Sequence, residues 1–439
     1  MRSALSAVLA LLIASPAGAT PWNDFGPRAM GMGGAQVAIA QGPLAAYWNP
    51  AGLGQLYDTT GFEAVGTGQA QFTGTILRGA NDLNPVAQDC SSVGAGCTDA
   101  NIQSALNDLS QPRNGILVNL GAGIDAKVGP VTVFANDFFY SGASPRVDLA
   151  NNTTATVANN QSALVRRGRN IAEFGLAYGH EILETGLIVG AAAKILDGRI
   201  GYSADGIVGT RPGTFRHSFD TNDNIRSSVR PGLDLGLLWD MRETFSGLPW
   251  RPRLGVVGRN INSPKFNQSA AAVAAGEPSR YTLQAQARAG AALSPFPWWH
   301  LAADVDLTDN ATPVDGLHSR NLSLGTEINV FNQSWLNIPL RAGIEKNVSK
   351  TGDSALAYTA GFGLHFAHIM LDVAGMLSAK RTDVQTQDSD QRVPSVLGVS
   401  GRFAFLFGGE DEGARNDRDR RDAEPPVRET KPLKTRQLQ

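Results

Sequence analysis

The decapeptide NLSLGTEINV, residues 321–330, changes character at every step. Leu322, Leu324, Thr326, Ile328 and Val330 share one side, and Asn321, Ser323, Gly325, Glu327 and Asn329 share the other. Period two is the signature of a strand with unlike faces. About ten residues is also the length a tilted strand needs to cross a bilayer. LAADVDLT (301–308) repeats the pattern, with Leu301, Ala303, Val305 and Leu307 opposite Ala302, Asp304 and Asp306. In residues 369–377, Ile369, Leu371 and Val373 oppose Asp372.

Working outward, about fourteen such segments can be marked: 61–72, 115–127, 130–140, 170–182, 186–202, 226–241, 251–262, 281–293, 298–308, 319–330, 335–347, 355–366, 368–379 and 394–407. The number is even, as in bacterial single-chain membrane barrels. Their connections sort by parity. Short links (128–129, 183–185, 294–297, 331–334, 367) alternate with long polar ones (73–114, 141–169, 203–225, 263–280, 309–318, 348–354, 380–393). Short periplasmic turns and longer outer loops are the barrel arrangement, whereas a soluble sandwich has no reason to sort its loops. Trp239, Trp250, Phe296, Trp298, Trp299, Phe331 and Trp335 gather at the short-turn ends, where aromatic rings prefer the headgroup level. The expected fold is all-β, a transmembrane antiparallel barrel over 61–407.

Composition agrees. With 18% charged residues and a mean hydropathy of -0.15, the 439-residue chain is too polar for a helical membrane protein. Past residue 20 no run of about 18 apolar residues could span as a helix. A net charge of -2 argues against a nucleic-acid partner. Residues 1–19 read as a signal peptide, an apolar run closing on Ala17-Gly18-Ala19. Cys90 and Cys97 suit a disulfide in an oxidising compartment better than half a zinc site. From residue 408 the sequence GGEDEGARNDRDRRDAEPPVRETKPLKTRQLQ is mixed-charge and nearly devoid of apolar residues, which points to a disordered periplasmic tail over 408–439.

Ahead of the strands lies FGPRAMGMGGAQVAIAQGPLAAYWNPAGLGQ, residues 25–55. Its density of Gly and Ala, with one Arg and an aromatic pair, suggests a plug over 20–60 folded into the barrel lumen. Arg28, Gly31, Gly33, Gly34, Trp48, Asn49, Pro50 and Ala51 are its candidate packing residues. Gly31-Met32-Gly33-Gly34 superficially suggests a phosphate cradle, but a dinucleotide fingerprint needs a preceding strand, so close backbone packing explains the glycines better. The six His residues include no His-x₃-His pair and no partner that spacing can place, so neither an enzyme nor a cofactor is expected. Asp234, Arg288, Asp304, Asp306, Glu327, Arg341, Glu345 and Asp372 fall on inward faces. Facing lipid, an Arg or Lys would cost roughly 2–4 kcal/mol near the midplane. These side chains either form an ion-pair network that holds the plug or line a substrate path.

The pieces PRAMGMGGA (27–35), YWNPAGL (47–53), RPGLDLG (230–236), VGRNINSPKF (257–266), LAADVDLT (301–308) and SRNLSLGTE (319–327) resemble the FadL/PorV-like outer-membrane barrels. Within that group they are most similar to the TraF-like (conjugal transfer) outer-membrane family, over roughly residues 25–407. The resemblance implies a barrel with an N-terminal hatch, Asn49-Pro50-Ala51 standing at the family's N-P-A motif. It also implies the outer membrane of a Gram-negative bacterium, periplasmic termini, lipid contact and insertion by the barrel assembly machinery. Two functions follow as expectations. One is passive uptake of a hydrophobic or amphipathic small molecule in the FadL manner; the other is a non-transporting scaffold for envelope transfer or secretion components. An apolar pocket or a lateral gap would favour uptake, and a sealed lumen full of ion pairs would favour the scaffold.

Overall fold

The structure is a computed structural model that describes residues 21–55, 59–92, 96–183, 185–208, 223–333, 335–386 and 389–408. Fourteen antiparallel strands close into one barrel. In chain order they are β1 (Thr59–Thr73), β2 (Gly115–Val128), β3 (Val131–Arg146), β4 (Ala163–Glu181), β5 (Leu187–Gly206), β6 (Ile225–Asp240) and β7 (Arg253–Arg259). There follow β8 (Gln286–Phe296), β9 (Trp299–Asp306), β10 (Asn321–Gln333), β11 (Leu336–Asn347), β12 (Leu356–Phe366), β13 (Ile369–Ser378) and β14 (Val396–Gly408). Each pairs with its neighbours in sequence, and β14 returns to β1 with Gln71 opposite Val396 and Thr59 opposite Gly408. Closure removes the two open edges that a flat sheet would leave, as strands that cross a membrane require. Every segment marked from alternation corresponds to one of these strands.

The outer surface is apolar. Leu322 and Leu324 of β10, Leu371 and Val373 of β13, and Val399 and Phe403 of β14 are all exposed, with their polar neighbours turned inward. Such a belt around a closed barrel is suited to lipid. No described helix is long and apolar enough to cross a membrane. At the short-turn end Phe296 stacks on Trp298 at 5.1 Å, and Trp335 meets Phe366 edge-on at 6.2 Å.

Residues 21–55 are almost wholly buried and reach every strand of the ring. The helical turn Pro27–Gly31 packs on β11–β14, the turn Val37–Ile39 on β7–β9, and the turn Pro50–Gly54 on β4–β6. Asn119 of β2 donates to Asn23, Phe138 of β3 meets Phe25, Thr67 of β1 accepts from the Gly26 amide, and Glu327 of β10 takes Arg28. Glycines on the wall make room for this. A Cβ on Gly343 would lie 2.4 Å from the Gly33 nitrogen, and one on Gly190 2.2 Å from the Ala51 nitrogen.

One expectation needs correction. The connection 73–114 is not a polar loop but a helical pair, α1 (Ile76–Ser92) and α2 (Asp99–Leu109), joined near its tip by a Cys90–Cys97 disulfide. Its apolar stripe, with Ile76, Leu83, Val86, Ile102, Leu106 and Leu109, closes on Val157 and Val208 of neighbouring long loops. Pro21 lies at the long-loop end, sharing a cavity with Leu317, His318 and Asp353, while Gly408 lies at the short-turn end. The buried segment runs the length of the lumen, so where it starts is opposite to where it joins β1. The signal-peptide and tail expectations (residues 1–19 and 409–439) lie outside the described residues.

Candidate functional site

The lumen is organised around three charged constellations, each supplied by neighbouring strands whose inward register brings the groups together. The largest is a chain of alternating charge. Glu63 of β1 accepts from Arg402 of β14 at 3.1 Å, and Arg402 donates to Asp372 of β13 at 2.7 Å. Asp372 accepts from Arg341 of β11 at 2.6 Å, and Arg341 donates to Glu327 of β10 at 2.6 Å. Glu327 ends the chain by taking Arg28 of the buried segment in a two-pronged bond of 2.8 and 3.0 Å. Paired carboxylate–guanidinium bonds of this kind fix direction as well as position. Arg28 also donates to the Ile39 carbonyl at 3.0 Å, tying two turns of the segment to each other. His365 of β12 adds a contact to Asp372 at 3.1 Å.

The second constellation is a box on four consecutive strands. Lys194 of β5 lies 3.1 Å from Glu173 of β4 and 2.8 Å from Asp234 of β6, and Arg259 of β7 lies 3.0 Å from the same Glu173. The Arg259 guanidinium sits 3.9 Å from the Tyr47 ring centre, an approach expected of a cation over an aromatic face. Tyr47 donates to the Asn23 carbonyl at 3.0 Å.

The third holds the Gly-rich run. Arg288 of β8 pairs with Asp306 of β9 at 2.6 Å and donates to the Gly34 carbonyl at 3.2 Å. Asp304 accepts from the Gln36 and Val37 amides at 2.8 and 2.9 Å. Thr359 donates to the Gly31 carbonyl at 3.0 Å. Gly33 and Gly34 have φ of +66° and +87°, a region that side chains disfavour, and a Cβ on Gly33 would stand 2.5 Å from the Ile344 carbonyl oxygen. Trp22 lies between two cations, 5.6 Å from Arg259 and 5.0 Å from Arg288, and stacks on Trp48 at 6.1 Å. The Trp48 indole donates to the Phe25 carbonyl at 2.8 Å. Asn49 donates to the Val37 and Leu237 carbonyls, both at 3.1 Å, and accepts from the Ala51 amide. Pro50 then opens the turn that leaves the lumen.

All eight charged residues picked from alternation are buried within the ring. Glu345 approaches Asp24 of the segment and accepts from Asn321. Glu63, Glu173, Lys194, Arg259, His365 and Arg402 belong to the same constellations and were missed. The signal was present, since each occupies the inward parity of an identified strand; Arg402, for example, sits one residue before the exposed Phe403 of β14. Among the described residues no group of three or more His, Cys, Asp or Glu could hold a metal. At the short-turn end Arg28, His300, Asn332, Asn337 and His365 line a polar cavity of about 270 Å³.

A closed, even-stranded antiparallel barrel with an apolar belt and a polar interior defines the class, a β-barrel of the outer-membrane type. The chain belongs to the family described as "F plasmid transfer operon, TraF, protein", which matches residues 75–306, a little over half its length. The motifs at 230–236 and 257–266 fall inside that match, and those at 27–35, 47–53 and 319–327 fall outside it. Among solved structures, the TodX monoaromatic hydrocarbon channel deltaS2 mutant is similar with a TM-score of 0.49 and 12% identity, over 88% of this chain and 99% of that one. The Pseudomonas putida toluene transporter TodX gives 0.43 and 12%, over 89% and 98%. A Pseudomonas aeruginosa FadL homologue gives 0.44 and 13%, over 89% and 99%. No curated protein sequence matches the chain.

Proposed function

We propose that the protein is a plugged uptake barrel for hydrophobic or amphipathic small molecules. In this reading it sits in the outer membrane of a Gram-negative bacterium, placed there by the barrel assembly machinery. Its short turns and C-terminal end face the periplasm, and residues 20–60 are the plug. One observation carries the reading: the wall is incomplete beside β6. On one side β5 pairs with β6 from Ile225 to Trp239, but on the other the ladder to β7 begins only at Leu235. The unpaired stretch contains Pro231, which has no amide hydrogen to give and is at home on a sheet edge.

That edge is covered by the segment 260–285 through scattered bonds. The Asn267 amide donates to Ser228 Oγ at 3.1 Å, and the Leu233 amide to Asn262 Oδ1 at 3.2 Å. Exposed Val229, Leu233 and Leu235 bring the apolar belt up to the same place. A solute dissolved in the outer leaflet would therefore meet a detachable hairpin where elsewhere it meets a continuous ladder.

The test is a lock. Ser228→Cys with Asn267→Cys, in a chain where Cys90 and Cys97 are Ser, would tie the hairpin to β6. Uptake of a fluorescent long-chain carboxylate into intact cells should fall on oxidation and recover with reductant. Uptake indifferent to the lock would sink the reading. A second reading, a scaffold for envelope transfer or secretion components, is favoured by the charge chain from Glu63 to Arg28, which holds the segment as a fixture. It expects that indifference.

A further inference from the structure

We propose that the cavity at the long-loop end of the lumen is a receptor for a primary ammonium, and that its occupant is the α-ammonium of Thr20, created when residues 1–19 are removed. Such a receptor suits an uptake barrel and a scaffold alike, so its test and the lock test fail independently. The cavity holds about 80 Å³ and is lined by Pro21 and Trp22 of the buried segment, Asn119 of β2, Asn321 of β10, Glu345 of β11 and Asp353 of the loop after β11. Among the described residues, three buried side-chain oxygens of this lining accept no hydrogen bond: Glu345 Oε2, Asn119 Oδ1 and Asp353 Oδ2. All three lack the same thing, a donor.

Glu345 is the most demanding of them. It is 6% exposed, its Oε1 accepts from Asn321, and it approaches Asp24, a second buried carboxylate. Two such groups side by side call for a proton or a cation. The neighbouring cations are engaged elsewhere. Arg288 is turned to Asp306 and the Gly34 carbonyl, and Arg320 donates to the Asp306 carbonyl. Lys380 pairs with the other oxygen of Asp353 at 3.0 Å, and His318 lies 3.0 Å from Asp309. The chain itself supplies what is missing. The Ala17-Gly18-Ala19 pattern sets cleavage before Thr20, and Thr20 is bonded to Pro21, which already lines the cavity. One residue spans no more than about 3.6 Å, so the new terminus opens beside the orphaned oxygens. Pro21 has no amide hydrogen to offer them. A primary ammonium has three N–H donors and no acceptor, the complement of three oxygens without donors. Processing would thus make the cation that neutralises Glu345 and anchors the start of the buried segment.

The test uses the processed protein, purified from outer membranes into lipid nanodiscs. Sequencing from its N-terminus should read Thr20-Pro21-Trp22, and any other start overturns the assignment. Unfolding temperature is then compared in the parent, in Glu345→Gln, in a chain with Gly-Ser inserted between Ala19 and Thr20, and in the two changes combined. In the parent background Glu345→Gln should lower the unfolding temperature by a few degrees, because the ammonium loses its counter-charge. The insertion carries the ammonium about 7 Å further along the chain. There the same substitution should leave the unfolding temperature unchanged or raise it, since only repulsion from Asp24 is left to remove. Dependence of one change on the other is the mark of contact between two sites. An equal fall in both backgrounds would mean that Asp24 and Glu345 share a proton instead, and overturns the receptor. Should Glu345→Gln not fold, acetic anhydride carries the test in the unaltered protein. The Thr20 amine should acetylate about tenfold more slowly in the folded barrel than in guanidinium, as for a site open in roughly a tenth of molecules. Equal rates overturn the receptor as well.

Discussion

Residues 21–55 and the helical pair α1–α2 are both additions to a ring of strands, and they hold their shapes in opposite ways. The buried segment has only turns of three to five residues, far below the length at which a helix persists alone. Its conformation is set largely from outside, through Asp304, Arg288, Glu327 and Thr359 bonding to its backbone and its one Arg, with Arg28, Tyr47, Trp48 and Asn49 tying its turns to one another. The helical pair has its own apolar stripe, a Thr98 cap on the Asn101 amide and a disulfide. Gly79 lets the two helices close, since a Cβ there would lie 2.8 Å from the Leu109 side chain. The difference teaches where damage should travel. A change in the wall should reach the buried segment from many strands away, and a change in the outer pair should stay local.

The largest effect should come from Asp372→Asn, which leaves Arg341 and Arg402 without the carboxylate they share. Breaking a buried pair in this way costs about 3–5 kcal/mol. The variant should lose its compact band on unheated gels at lower temperature than the parent, and trypsin should gain access to Arg28. A parent-like profile would show that the segment does not depend on the chain of charges. Next in size, Gly343→Val drives a side chain into the backbone at Met32 and Gly33, an overpacking of about 1–3 kcal/mol or more. Here the barrel should still close while the segment sits loosely, so single-channel conductance in planar bilayers should rise; unchanged conductance would count against a plug.

The smallest effect concerns the outer pair. Asp99 accepts from the Thr154 amide at 2.7 Å, and that bond holds its carboxyl below the usual range. A folded pKa that is depressed stabilises above the unfolded value, about 3.9, and the benefit is lost as pH falls through the folded one. Pepsin cleavage in 147–162 should therefore rise below about pH 4 in the parent, and Asp99→Asn should shrink that step without removing it, because Asp148 of the same loop is also held low by Asn151 and the Gln161 amide. Spread of the acid effect to the buried segment would break the contrast between the two regions.

Alternation made the wall legible because lipid on one side and a polar interior on the other impose period two on every strand. The same rule pointed Asp304, Glu327 and Asp372 inward before any partner was known. It could not name the partners, because pairing across strands depends on register, and residues as distant as Glu63 and Arg402 meet only when the ring closes. The helical pair was missed for a different reason. Ile102, Ala105, Leu106 and Leu109 carry a helical spacing in plain view, but a loop was expected there and polarity was read ahead of period. The path of residues 21–55 was beyond reading, since its turns are set by glycine gaps on β5, β10 and β11 that mean nothing until strands and segment are side by side.

The seam between β1 and β14 has a bearing on biogenesis. Glu63 and Arg402 face each other across it, and Arg402 belongs to the chain of charges that ends on Arg28. The seam that closes the sheet and the chain of charges that ends on the buried segment thus share Arg402. Opening that seam would therefore break the wall and the chain of charges at one residue, Arg402.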